Sequence, residues 1–366
     1  MNSHRRAARA RNAGRLIAAV SGAVLALAGN AYGASFSLTE LATLAQGSPA
    51  VVRGPNALGH ATGGGRALRG HQLAPARQGL VFQAGAPLPV DGLPGSDFTN
   101  VFGINDLGLL VGSANTPTAV RGFVTERGGA ARELRPLPGD VASSAFAISN
   151  HGRAVGFSSG PAGERAVTWT ADGAVSALTS TGQASRALAV NDPGLIAGVS
   201  GNAQSRRAVL WSAGGVVQEL PLLPSLGASV ATGMNARGDV VGYCATASDA
   251  RRATLWPRGS STAVDLGALP GHHASQALGI NDSGDIVGES SSGQAVRAFI
   301  WSRAQGMQDL NTLVDAQDIV LSKAVGINNA GMIIALGRTA ESTDGHAHGH
   351  DHEAPIRVFL LERTGK

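Results

Sequence analysis

The chain has 366 residues, 29 Lys and Arg against 25 Asp and Glu, 43% hydrophobic but only 4% aromatic content, 51 glycines and one cysteine. The lone Cys244 excludes an internal disulfide. Glycine at about twice its usual share of ~7%, with no Gly-X-Y period, excludes a collagen-like fibre and points to many turns between short strands.

The first 33 residues differ from the rest. Arg5, Arg6, Arg9, Arg11 and Arg15 form a basic region, Leu16 to Ala28 an apolar one, and the small-residue motifs Ala26-Leu-Ala28 and Ala31-Tyr-Gly33 follow. This is the anatomy of a secretory signal peptide, and the apolar stretch is well short of the ~20 residues a membrane span needs. Residues 1–33 are therefore expected to be a leader and 34–366 an exported domain, extracellular or periplasmic. Five of the 29 basic residues lie in the leader and no acid does, which leaves 24 against 25. A near-neutral mature chain gives no electrostatic footprint for a nucleic-acid partner. No second long apolar segment follows, so no membrane span is expected after leader removal, and a monomer is the expected state.

The remaining chain repeats. An Asn-x-x-Gly turn between two apolar runs recurs at Asn56, Asn105, Asn191, Asn235, Asn281 and Asn328, with Ser149 in the third unit, at intervals of 49, 44, 42, 44, 46 and 47 residues. Runs of β-branched residues on either side of such a turn read as a tight hairpin. Its glycine (Gly284 in the sixth unit) completes a type I turn with a bulge. A second glycine follows four residues later in six units, as Gly288 does, and Ala335 replaces it in the seventh. Each unit then holds an apolar strand such as Arg297-Ala-Phe-Ile-Trp301, and a run ending in leucine such as Met307-Gln-Asp-Leu310. A strand apolar on both faces lies between two layers. Four short strands in ~44 residues is the period of a propeller blade. The first unit is preceded by a lone leucine-ending run, residues 35–41, and the last lacks one. The expected fold is therefore all-β, a seven-bladed propeller of four-stranded blades with the N-terminal strand joining the last blade.

The pattern A-x-G-I-N-[DN]-x-G-x-[IV]-V-G followed by [RH]-A-F-[IL]-W resembles the HAF-type "probable extracellular repeat" of exported bacterial proteins. The resemblance covers residues 35–366 and is most specific in the units at Asn105, Asn235 and Asn281. Arg297 and its equivalents stand where the eponymous His would be. The resemblance implies fold and export and transfers no catalytic residue.

Candidate chemistry is sparse. His346, His348, His350 and His352 alternate beside Asp344, Asp351 and Glu353, a pattern able to offer imidazoles to Zn2+, Ni2+ or Cu2+. Arg121, Arg165, Arg207, Arg252, Arg297 and Arg357 open the third strands at the end with the variable links, a candidate cationic ring for an anionic polymer or glycan; the plainer reading pairs each with a neighbouring blade. Asp106, Asp192 and Asp282 sit in the hairpin turns, where Asp bonds local amides. His272-His273 lies in a turn before the sixth hairpin, and His60 and His151 are isolated. No Gly-x-Ser-x-Gly elbow, phosphate loop, CxxC pair or calcium loop is present. The reading is an exported scaffold that binds a protein or glycan and requires no cofactor. Its rivals are a propeller lyase or hydrolase acting on envelope glycans, with acid and base converging in the channel, and a metal-handling protein built on the His-rich stretch.

Overall fold

In this computed structural model the described residues are 35–44, 51–65, 68–69, 72–73, 78–202, 205–340 and 354–364. The expected leader lies outside them. They form seven four-stranded antiparallel sheets in a ring, the propeller expected from the repeat. Blade 6 shows the plan: Ala274–Ile280, Ile286–Ser291, Val296–Ser302 and Gly306–Asp309 pair in chain order. The first strands of the seven blades, Val51–Arg53, Phe98–Ile104, Ala142–Ile148, Ser185–Val190, Ala228–Met234, Ala274–Ile280 and Ile319–Ile327, surround the axis. A small extra hairpin, Leu68–Arg69 with Gln72–Leu73, lies between the second and third strands of blade 1. The spacing did not announce it, because the longer first interval absorbs it.

The turn has the expected form. Gly284 N–H donates to Asn281 O at 3.1 Å, Asn281 N–H donates to Asp285 O at 3.1 Å, and Gly284 takes φ +87°. The second glycine has a different cause. In blade 6 the first strand bulges between Ala277 and Gly279, and a β-carbon on Gly288 would lie 2.0 Å from Gln276 O. Blade 7 has two irregularities in its first strand instead of one, and there Ala335 is accommodated.

The core lies between blades rather than within them. Each of the seven blade–blade interfaces holds a buried apolar cluster, and that between blades 4 and 5 holds a second, smaller one around Tyr243. Between blades 2 and 3, for instance, Val111 and Leu134 meet Ala145, Val167 and Trp169. Fully burying such a side chain is worth about 1.5–3 kcal/mol. Trp169, Trp211 and Trp256 also reach back, donating Nε1–H to Arg135 O, Thr179 O and Pro221 O at 2.8, 2.6 and 2.7 Å. Those carbonyls directly follow Leu134, Leu178 and Leu220, the leucines at or just past the end of the fourth strand of the preceding blade.

Closure is as expected. Phe36–Thr43 pairs antiparallel with Arg357–Arg363, Phe36 opposite Arg363 and Thr43 opposite Arg357, so the start of the domain supplies the fourth strand of blade 7. Among the described residues no helix is long and apolar enough to cross a membrane.

Candidate functional site

The face carrying the Asn-x-x-Gly turns is committed to holding blades together. Each Asn serves two partners. Asn56 Oδ1 accepts from the N–H groups of Leu58 and His60, at 3.1 and 3.0 Å, which fixes its own turn. Its Nδ2 donates to Asn105 O of the next blade at 3.1 Å. The same interblade bond runs from Asn105, Asn191, Asn235, Asn281 and Asn328. Ser149 has no amide to offer and breaks the series. A second series runs beside the first. Asp106, Asp192 and Asp282 accept from the backbone N–H groups of Ala57, Asn150 and Ala236 at 2.7, 2.7 and 2.8 Å. These acids were expected to bond local amides; they bond those of the preceding blade.

The opposite face carries the links between second and third strands and those leading into each first strand. The six arginines stand there, one per blade from 2 to 7, each beside a carboxylate. Five meet an acid of the fourth strand in the same blade. Arg121 Nε lies 3.1 Å from Glu133, Arg207 4.0 Å from Glu219, Arg252 3.1 Å from Asp265 and Arg297 4.0 Å from Asp309, while Arg357 Nε donates to Glu40 at 3.0 Å. Arg165 instead meets Asp140 at 2.8 Å. Arg121 and Arg207 also donate to Val141 O and Gly227 O, in the segments entering the next blade. They therefore sit towards the periphery, engaged with third- and fourth-strand neighbours.

The axis holds a cavity of about 670 Å3. Three residues before each Asn position, its wall is formed by Arg53, Phe102, Phe146, Leu188, Thr232, Leu278 and Val325. Two residues nearer the variable-loop face, Arg186, Gln276 and Lys323 reach it. One side of the mouth is aromatic. The Phe102 and Phe146 rings lie 5.3 Å apart, Phe146 and Phe157 5.7 Å apart, and the Arg186 guanidinium stands 5.1 Å from the Phe157 centroid. The other side is a polar relay. Arg251 Nη1 donates to Gln276 at 2.8 Å, Gln276 donates to Glu289, and Lys323 Nζ lies 3.1 Å from that same carboxylate. Among the described residues the lining contains no Asp, Glu, His or Cys.

Arg53 is the one charged residue at its level of the axial ring. Among the described residues its side chain makes one hydrogen bond, from Nη1 to Val52 O at 3.1 Å, and no carboxylate partners it. It is exposed to water yet ringed by the first strands, and that enclosure pulls its pKa down. The signal was available. Aligned on Asn, six units carry an uncharged residue at this position and blade 1 carries an arginine.

The other titratable candidates are scattered. Cys244 is buried where blades 3 and 6 have Ser158 and Ser290, whose hydroxyls accept from Leu137 and Leu269 N–H at 2.9 and 3.1 Å. Burial raises its thiol pKa, which suits a structural thiol better than a nucleophile. His60 has its pKa lowered by burial and then by the nearby Arg127, His151 lies 3.9 Å from Asp192, and His272 keeps a buried Nδ1 without a partner. No group of three His, Cys, Asp or Glu able to hold a metal forms among the described residues. His346, His348, His350 and His352 lie outside them.

No protein-family model matches the chain, and no curated protein matches it either. Solved structures do. Virginiamycin B lyase from Staphylococcus aureus is similar over 90% of this chain and 100% of its own, with TM-score 0.56 at 12% identity. A streptogramin B lyase structure aligns over 89% and 98%, with TM-score 0.53 at 12% identity. The β-propeller domain of the Trilobed protease from Pyrococcus furiosus, of open velcro topology, aligns over 87% and 94%, with TM-score 0.56 at 9% identity. At such identities the likeness shows the fold.

Proposed function

We propose that this is an exported propeller that binds a small ligand in its central channel, entered from the variable-loop face. The observation that carries the reading is the axial cavity of about 670 Å3, walled by Phe102, Phe146, Leu188 and Leu278 with a few polar groups at its mouth. Ligand sites are typically concave, mostly apolar and sparsely polar, at roughly 300–1,000 Å3. Export is supported by the basic-then-apolar leader at residues 1–33. Binding is favoured over turnover because no carboxylate, imidazole or thiol lines the cavity among the described residues, and Lys323 is tied to Glu289. The arginines of the rim are already engaged by carboxylates, which favours the axis over the rim as the working site.

Filling the channel tests this. Leu278→Trp places a larger ring in the lumen and leaves the interblade clusters alone. Small molecules found by ligand-observed NMR to bind the unmodified protein are expected to lose binding to Leu278→Trp, with the melting temperature retained. Hits that ignore this substitution and respond instead to changes at Leu107 on the turn face would place the site elsewhere.

A further inference from the structure

The channel lining is mostly apolar, and its charge is one-sided. It presents Arg53, Arg186 and Lys323 and, among the described residues, no acid. Two of these cations are already balanced. Arg186 makes a two-point contact with Glu164, at 2.6 and 2.7 Å, and Lys323 meets Glu289 at 3.1 Å. Arg53 is not balanced. Its equivalents in the two flanking blades are Phe102 and Val325, so it stands as a single cation in an apolar ring. Its field is focused along the lumen by the low-dielectric walls, so an anion entering the channel is drawn towards it.

A guanidinium matches a carboxylate with two parallel N–H···O bonds. Arg53 has one Nη1 contact to a backbone carbonyl, which leaves most of its donors for a ligand. Beside it, Phe102 and Phe146 offer tilted ring faces 5.3 Å apart. We infer that the channel takes a small amphipathic anion, a carboxylate on an apolar ring-bearing body, with the carboxylate on Arg53 and the body against Phe102 and Phe146. Arg53 comes from a strand beside the axis rather than from a loop, so the anchor is in place before the ligand arrives and little ordering is needed on binding. This rests on the channel being the working site and adds which molecules it selects.

The experiment is calorimetric titration of the purified propeller with ring-bearing acids, phenylbutyrate and naphthylacetate, each beside its neutral amide. The acids are expected to bind about tenfold or more tightly than the amides, the discrimination of one charge-assisted contact. Arg53→Gln is expected to erase that preference, the acids falling to the affinity of their amides. Arg53→Lys is expected to retain part of it, and both variants to melt like the unmodified protein. Equal binding of acid and amide, or a preference that survives Arg53→Gln, overturns the anionic ligand and leaves the channel site standing. Binding that persists in Leu278→Trp overturns the channel itself. Failure of every acid to bind the unmodified protein overturns the inference.

Discussion

The side-chain amide of Asn328 donates to the carbonyl of Asn56 at 2.8 Å, across 272 residues of sequence. It joins the last blade to the first with the same bond that joins most neighbouring blades. Both partners are buried, so losing the amide leaves a carbonyl unpaired and a turn uncapped. Asn328→Ala and Asn281→Ala are each expected to cost about 1–3 kcal/mol in denaturant unfolding. The converse holds at the break: Ser149→Asn supplies the missing amide facing Asn191 and should raise stability by about 1 kcal/mol. A loss of stability in that variant would show that the third turn is shaped differently from the other six.

Closure should be acid-sensitive. The hydrogen bond from Arg357 is the chief cause holding Glu40 below its ordinary pKa, against the opposing effect of burial. A carboxylate depressed by folding contributes stability above its unfolded pKa of ~4.3 and loses that contribution as pH falls through the lower folded value. The pair is partly exposed, which limits it to about 0.2–1 kcal/mol. Glu40→Gln is thus expected to lower stability by that amount at pH 7 and to match the unmodified protein near pH 2. Equal stability of the two proteins across this range would remove the pair from the account of closure.

The second glycine of the repeat should resist any side chain. A β-carbon on Gly156 would lie 1.9 Å from Ser144 O, a backbone atom with nowhere to retreat. Gly156→Ala is expected to cost about 3 kcal/mol or more, at the upper end for overpacking. Gly227→Ala is the control, since a β-carbon there meets nothing within 4 Å; it should fall within about 0.5 kcal/mol. Comparable losses at both sites in thermal melts would refute the steric account.

The rim arginines should behave as surface pairs. Arg252→Ala removes a contact to Asp265 between two partly exposed side chains. About 0.2–1 kcal/mol, shrinking with added salt, is expected. Retention on an acidic polysaccharide column should be unchanged. Weakened retention with an intact melting temperature would return the rim to consideration as a binding surface.

The fold was legible because its signal is repetition at one spacing: Asn281 and Gly284 fix a turn, Leu310 and Trp301 fix strand ends, and residues 35–41 answer a gap at the other terminus. What the asparagine does was less legible. Its donor side acts on a residue 44 to 49 positions ahead, or 272 back where the ring closes, and no local rule reads that far. The channel was hidden for another reason. Strand alternation predicts which side chains share a face, but the bulge between Ala277 and Gly279 and its equivalents resets that alternation just above the turn. Arg53, in the one first strand that shows no bulge among the described residues, looks like an ordinary residue in the weakest copy of the repeat until its equivalents in the other blades are seen to face the axis.

The pairing of Phe36 with Arg363 also sets an order in time. The strand that completes blade 7 is synthesised before any other and meets its partner only after the whole propeller has been made. Through that interval it is an unpaired strand with Phe36 and Leu41 uncovered, and Arg357–Arg363, once made, has an open edge until the two meet. Bringing such distant ends together carries a large loop-closure entropy and makes for slow folding. Six blades can assemble as they emerge, while the seventh depends on the propeller's first strand staying free of other strands until its last one arrives.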